Sequence, residues 1–459
     1  MTQRVAVIGA GVAGLTTAFY LKKAGWDVTV YEASQEVGGA IKTRVENGFT
    51  AELGPNTVLE TSTRIAELID AAGLNNEKIY ANADGQKRFI VKHKKPVALP
   101  GSPLGFILTP LFSLGTKLGL IKEPFIPAWD NSYEESLADF VLRRLGQEFL
   151  DYAINPFVAG VYAGDPRKLS VKHGFAKLYA LEQKYGSLIK GQIQGARERK
   201  KSSEESKQSA KMISFKKGLS TLPETLASKL GSDLKLGALV QSMTRNGHQW
   251  KLLFSEEGSQ AQEQEVDHII YAGPVHKLAS IQMNGEAFPE FEALSDVHHP
   301  PVTTMTLGFK RDQIKHALDG FGMLVPEVEG LNILGALFTS TLFDQRAPDG
   351  YVTITVFIGG VRQPELTELA DEELLNVVLS DLNTLLEIEG KPVQTFIQKW
   401  SKAIPQYNVG YGKYKTILGN LETSHSGLHF AGNYLAGISV ADTIKHASEL
   451  TDALIAQSK

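Results

Sequence analysis

The chain reads as an α/β and α+β fold in which a parallel-sheet unit, split between distant segments, joins a mixed-sheet unit and a helical region. Three observations predict it. A strand, a glycine-rich turn and a helix follow one another within the first 25 residues; the same succession returns at residues 428–454; and short strand patterns fill most of the interval, broken by one helix-rich stretch.

The first of these devices can be justified residue by residue. Residues 5–8 form a short apolar run, as a strand buried in a parallel sheet requires, and the run breaks at Gly9, which permits a tight turn. Gly11 has no Cβ, so the backbone can come close to a pyrophosphate, and Gly14 lets the following helix pack on the sheet. Leu15, Ala18, Phe19 and Leu21 fall mostly on one helical face until Gly25 offers a stop. Such a helix directs free N–H groups and partial positive charge at phosphates. A second strand, residues 28–31, delivers Glu32, 18 residues after Gly14, where an acid holds ribose hydroxyls and repels a 2′-phosphate. A GxGxxG string alone is weak, but strand, helix, strand and acid in order predict a Rossmann-like dinucleotide site, with NADP disfavoured. The Gly38-Gly39 pair after the acid resembles the extended pattern of flavoproteins and tilts the dinucleotide from NAD to FAD. An ordinary pair of loop glycines is the alternative.

A length of 459 residues with 42% hydrophobic and 21% charged content suits two or three globular domains. The formal charge of -4 implies no basic face, so no nucleic-acid partner is expected. The absence of cysteine excludes disulfides, thiolate metal sites, a redox dithiol and a cysteine-linked flavin, and no metal is expected. Because the glycine motif begins within the first ten residues, no presequence is expected ahead of it. The one long uncharged run, residues 96–116, carries Pro96, Pro100, Pro103 and Pro110 with Gly101, Gly105 and Gly115, which break any spanning helix. Residues 106–126 read as an apolar surface for a membrane interface or a substrate channel, with plain buried core as the alternative.

Further along, residues 196–211 combine mixed charge with serine and read as an exposed, mobile loop. They separate the helix-rich residues 133–185 from strands at 234–240, 250–254 and 268–272, with Asn246-Gly247 as a hairpin turn. More strands follow at 302–309, 331–337 and 351–358, then a helix at 371–386. Near the end, residues 428–431 read as a buried strand ended by Gly432 and followed by Asn433. Ile438, Ser439 and Val440 then open a helix whose apolar face is Ile444, Ala447, Leu450 and Leu454. A strand, a glycine turn and a helix N-terminus again suit an anionic group, so the nucleotide domain is assembled from both ends of the chain.

On these residues the chain resembles the protoporphyrinogen oxidase family of the flavin-containing amine oxidase superfamily, over nearly its whole length. Five further segments carry the resemblance. Residues 51–57 resemble the family's Gly-Pro turn against the flavin. Residues 155–166 form its most family-specific string, beside the substrate cavity. Residues 215–223 match the return to the nucleotide domain, and residues 399–407 and 430–440 match C-terminal flavin segments.

Position by position, the resemblance implies non-covalent FAD contacts at Gly9, Ala10, Gly11, Val12, Ala13, Gly14, Glu32, Ala33, Gly39, Ala40, Gly54, Pro55, Asn56 and Thr57. It adds Val240 near the adenine, Trp400, the turn at Gly432 and Asn433, and Ile438, Ser439 and Val440 near the isoalloxazine. Ala40 is small where relatives often carry a basic or aromatic residue. Substrate contacts are implied at Asn56, Phe157 and Gly160, with Lys95 as a point-charge partner for a carboxylate or, alternatively, a solvated lysine. The implied organisation is an FAD-binding domain from residues 1–80, 212–280 and 422–459, a substrate domain from 81–97 and 281–421, a helical subdomain at 98–195 with membrane contact, and the loop 196–211.

The implied reaction is the FAD- and dioxygen-dependent oxidation of protoporphyrinogen IX to protoporphyrin IX in heme biosynthesis. It comprises three hydride transfers to flavin N5, six electrons in all, with release of hydrogen peroxide. A methylene between pyrroles loses hydride to leave a delocalised cation, so no strong general base is needed and none is assigned. Negative charge growing near flavin N1 and O2 is expected at the N-terminus of the helix opening near Ile438, which makes Ser439 and Val440 electrostatic participants. Coproporphyrinogen III is the alternative substrate, and another flavin amine oxidase or a carotenoid desaturase the alternative enzyme. A non-catalytic prenyl-carrier-like protein is the alternative class, against which Gly9, Gly11, Gly14 and Glu32 argue. The expected setting is cytoplasmic and peripheral on the inner face of the cell membrane, with product handed to a heme-pathway chelatase; a homodimer stays open.

Overall fold

The computed structural model describes residues 2–199 and 210–458. Its central sheet is parallel and five-stranded, in the order Leu234–Leu236, Asp27–Glu32, Arg4–Ile8, His268–Tyr271 and Leu428–Phe430. Counted along the chain the order is third, second, first, fourth, fifth, the doubly wound arrangement of dinucleotide-binding folds. Both faces of its strands are covered, which explains their unbroken apolar runs. Val5, Val7, Val28, Val30 and Ile270 pack under the helices Val12–Lys23, Thr221–Leu230 and Val440–Gln457. Ala6, Ile8, Tyr31, Ile269 and Tyr271 pack against a four-stranded sheet carrying Trp250, Leu252 and Phe254.

The run at residues 234–240, read as one strand from sequence, is two. Gly237 turns at φ +65 between Leu234–Leu236, which ends the parallel sheet, and Ala238–Asn246, which enters the four-stranded sheet. The hairpin turn is where the sequence puts it: Asn246 pairs with Gln249 across Gly247, at φ +62, and His248.

A seven-stranded sheet runs Gln394–Trp400, Val302–Lys310, Tyr351–Gly359, Ile333–Leu337, Gly322–Leu324, Arg88–Lys92, Lys95–Ala98. It is mixed, since Gly322–Leu324 and Arg88–Lys92 are parallel while the other pairs are antiparallel. Met305, Leu307, Phe309, Ile354, Val356 and Ile358 alternate onto the face covered by Leu374, Val378, Leu382 and Leu385 of the helix Asp371–Leu386. Thr304, Thr306, Thr353 and Thr355 lie buried as well, Thr306 and Thr355 sharing a hydrogen bond of 2.9 Å.

The helix-rich stretch is present as Leu137–Arg144, Asn155–Tyr162, Ala176–Tyr185 and shorter turns. Residues 196–199, which the sequence reads as loop, belong to the helix Leu188–Arg199; of the rest, residues 200–209 lie outside the described residues, and 210–211 lead into the strand Met212–Phe215. No helix among the described residues is long and apolar enough to cross a membrane. Within residues 104–125, Leu111 and Phe112 are buried, but Leu104, Ile107, Leu108, Leu114, Leu118, Ile121 and Phe125 are exposed. The stretch is therefore mostly surface, with Thr109, Leu111, Phe112 and Glu123 as its buried points.

Candidate functional site

The helix Val12–Lys23 lies on one face of the parallel sheet, whereas Val275 and Leu278, which follow the strand His268–Tyr271, pack on the other. The ends of Arg4–Ile8 and His268–Tyr271 thus flank the point where the connections diverge, the usual crevice for a nucleotide. Gly9 turns at φ +106, and a Cβ on it would stand 2.9 Å from the Gly273 nitrogen. A Cβ on Gly14 would stand 2.0 Å from the Gly9 carbonyl oxygen, so only glycine lets the helix sit this close. Ala10 and Ala13 are buried behind the turn. Gly11 differs: it opens the helix, half-exposed Val12 follows it, and a Cβ on Gly11 would meet nothing within 4 Å.

The second glycine turn rests on the first. The Gly38 N–H donates to the Ala10 carbonyl at 2.8 Å, and the Cβ position of Gly39 is 3.4 Å from the Gly11 Cα. Next to them the Glu32 carboxylate accepts the N–H groups of Ala10, at 2.7 Å, and Ser34, at 2.9 Å, which fixes its orientation with Ala33 exposed beside it.

Gly54 is pressed onto this turn, its Cβ position 2.0 Å from the exposed Ala40's carbonyl oxygen. Pro55 and Thr57 are half-buried, while Asn56 is buried, donates from Nδ2 to the Gly54 carbonyl at 3.0 Å and leaves Oδ1 without a partner. From the seven-stranded sheet the Trp400 indole donates to the Leu53 carbonyl at 2.8 Å, hooking this segment in place. Just ahead, Glu52 accepts the Thr43 hydroxyl at 2.6 Å and the Leu219 N–H at 2.9 Å and faces the buried Arg346 guanidinium at 3.7 Å. Burial pushes the Glu52 carboxyl up to about 7 against these bonds.

At the other end of the chain Gly432 leaves no room for a side chain, its Cβ position lying 2.4 Å from the Tyr434 ring. Asn433 follows, its carbonyl held by the Tyr407 hydroxyl at 2.6 Å. Ile438 packs between two cores. Ser439 caps the helix that starts at Val440, two residues after the Ile438 start that the sequence suggests. Its Oγ accepts the Asp442 N–H at 3.1 Å and donates to the Asp442 carboxylate at 2.6 Å. The N–H groups of Val440 and Ala441 stay outside the helical ladder.

The expected residues divide. The two glycine turns, Glu32 and Gly54 to Thr57 share one crevice. Val240 is 4% exposed and paired with Phe254, so its side chain is committed to the four-stranded sheet's core. Phe157 keeps 42% exposure on the helix Asn155–Tyr162. Gly160 is a packing position, its Cβ site 2.2 Å from a Leu324 methyl. Lys95 is exposed on the edge strand opposite Gln394–Trp400, six strand spacings or about 29 Å across the sheet. The inward-facing lysine of that segment is Lys92, bonded to Glu148 at 3.0 Å and to the Leu111 carbonyl at 2.7 Å. Eight histidines, at positions 173, 268, 276, 298, 299, 316, 429 and 446, are all held below the ordinary imidazole range chiefly by burial.

Sequence reasoning assigned no role to the hub at Asn155, which bonds Glu327 and Arg362 at 3.0 Å each, or to the hydroxyls of Tyr407 and Tyr411. The strings around Asn155 and Tyr407 were visible, but their partners lie far along the chain.

The arrangement fits FAD: an open space over Gly11, an orphaned buried acceptor on Asn56, and a helix N-terminus at each end of the chain. Comparison with known proteins decides the family. The family model described as flavin-containing amine oxidoreductase matches residues 12–449. The chain belongs to this family. FAD is accordingly the cofactor of this family member, and oxidation–reduction its chemistry. It is 35% identical to protoporphyrinogen oxidase 2, chloroplastic/mitochondrial, of Arabidopsis thaliana, over 99% of this chain and 94% of that protein. It is 29% identical to coproporphyrinogen III oxidase of Bacillus subtilis (strain 168), over 98% of each. A solved structure of reduced UDP-galactopyranose mutase shares the fold, with a TM-score of 0.76 at 16% identity over 100% of this chain and 94% of that one. A mutase on this fold shows that the fold alone does not set the reaction.

Proposed function

We propose that the chain oxidises protoporphyrinogen IX to protoporphyrin IX, with dioxygen as the final electron acceptor. The observation that carries this reading is the 35% identity to a protoporphyrinogen oxidase along 99% of the chain. FAD supplies the redox chemistry when bound, taking hydride from the substrate and passing electrons to dioxygen. The rest is positioning. The Gly9–Gly14 and Gly38–Gly39 turns hold the pyrophosphate, Glu32 the ribose, and Asn56 Oδ1 accepts an N–H in the flavin crevice. The first N–H groups of the helix Val440–Gln457, with Ser439 as its cap, stabilise negative charge on the reduced cofactor. Phe157 faces the substrate from the helix that Asn155 ties to Glu327 and Arg362. Gly160 supports that helix, and Lys95 takes no part.

Purified protein with FAD and oxygen should generate porphyrin fluorescence and hydrogen peroxide from protoporphyrinogen IX faster than from coproporphyrinogen III. Turnover of an amine and of neither porphyrinogen would sink the reading.

The apolar surface of residues 104–125 seats the protein on a lipid bilayer. No exposed carboxylate interrupts it: its single acid, Glu123, is fully buried, whereas Lys122 is exposed. Phe125→Ser with Leu108→Ser should abolish co-sedimentation with anionic vesicles while turnover of detergent-dispersed substrate persists.

A further inference from the structure

Tyr407 is 2% exposed, and its ring stacks on Tyr411 with centroids 4.4 Å apart. Its hydroxyl donates to the Asn433 carbonyl at 2.6 Å and accepts the Gly437 N–H at 3.2 Å. One oxygen thereby closes both ends of the turn at residues 433–437, two positions ahead of Ser439, the cap of Val440–Gln457. That turn is tightly seated, since a Cβ on Gly437 would stand 2.6 Å from the Asp442 carboxylate. The backbone of Tyr407 is anchored elsewhere: its carbonyl accepts the Ser170 N–H at 2.8 Å, and the neighbouring Gln406 amide donates to the Tyr162 carbonyl at 2.8 Å. The residue therefore fixes the flavin-side turn against the helical region.

We propose that Tyr407 is a positioning residue for the flavin: its hydroxyl sets the placement of the Gly432–Val440 turn and the helix N-terminus behind it, and with them the affinity and reduction potential of bound FAD. This rests on the reading that the turn faces the isoalloxazine. A hydroxyl lost from a buried bridge strands both of its partners, and a shifted helix terminus stabilises reduced flavin less.

Tyr407→Phe keeps the ring and removes the bridge. In the full chain it should weaken FAD binding to apoprotein about tenfold and make the flavin midpoint potential more negative. Thr306→Val is the comparator. It removes a buried hydroxyl bonded to Thr355 at 2.9 Å in the seven-stranded sheet, outside that turn, and should lower thermal stability while leaving FAD affinity and potential unchanged. Wild-type affinity and potential in Tyr407→Phe overturn the proposal. So do equal flavin effects from both variants, or a Tyr407→Phe chain that fails to fold where Thr306→Val folds. These readouts involve no porphyrinogen, so their failure leaves the substrate reading untouched, and the converse holds.

Discussion

A methyl group added at Gly14 would stand 2.0 Å from the Gly9 carbonyl oxygen, whereas one added at Gly11 would meet nothing within 4 Å. The two glycines therefore do different work although they belong to one motif. Gly14→Ala should destabilise the apoprotein by about 1–3 kcal/mol, since backbone must move to admit the Cβ. Gly11→Ala, at an ordinary negative φ and with room for its Cβ, should cost the apoprotein less than Gly14→Ala, about 0.5–1 kcal/mol for the poorer N-cap. It should weaken FAD binding by roughly 10- to 100-fold, because the side chain enters the pyrophosphate's space. Urea unfolding of apoprotein and FAD titration separate the two effects; parallel losses in both variants would refute the distinction. These positions were legible in the sequence because the chemistry of each depends on its immediate neighbours. Lys95 is exposed, as the solvated alternative has it; what the sequence did not show is that its cross-strand partner Lys92, one strand further in, is the lysine bonded to Glu148.

Among elements, the helical region is held by charge that no periodicity reveals. The Arg144 guanidinium, fully buried, bonds Glu182 through Nε at 2.7 Å and Glu123 through Nη1 at 2.9 Å. Glu123 also accepts the Ser187 hydroxyl and the Leu188 N–H, at 2.5 and 2.8 Å, and so caps the helix Leu188–Arg199. Burial alone would raise the Glu123 carboxyl, but these bonds and the Arg144 charge outweigh it and hold it below the usual range. Arg144→Met leaves the buried Glu123 without its cation and Glu182 with Arg143 alone, and should cost about 3–5 kcal/mol in denaturant unfolding. Little or no loss would show the network to be dispensable. By contrast the helix Asp371–Leu386 appears at the residues its sequence indicates, since its apolar spacing was written locally. The run 234–240 failed for the opposite reason: its composition is strand-like throughout, and only the two sheets it serves make Gly237 a boundary.

At the scale of the molecule, the split of the parallel sheet was legible because both ends carry a strand, a glycine turn and a helix; which strands lie side by side was not. One consequence is that His268 and His429, 161 positions apart, meet on neighbouring strands with ring centroids 5.6 Å apart. His268 Nδ1 and His429 Nε2 are buried without a partner. Burial and then the facing imidazole push His429 down to about 4, and burial also lowers His268. Both rings are neutral in the fold, whereas an unfolded histidine titrates near about 6.5. Below that pH the unfolded chain takes up protons the fold refuses, so the stability is whole above about 6.5 and declines as the pH falls toward 4. His276 and His299, each pushed down to about 4 chiefly by burial, add to the same slope, so no single variant removes it all. The strand Leu428–Phe430 leads into the C-terminal turn and helix of the flavin site, and of the sheet's two edge strands it is the one that carries a histidine of this pair, so acid should loosen it first. FAD should therefore be released, with rising flavin fluorescence, between pH 6.5 and 4, before the remaining sheet unfolds. His429→Gln, which cannot take up a proton, should shift that release to lower pH and flatten the thermal-unfolding profile over the same interval. An unchanged profile in the variant would place the acid sensitivity elsewhere than in the histidine pair.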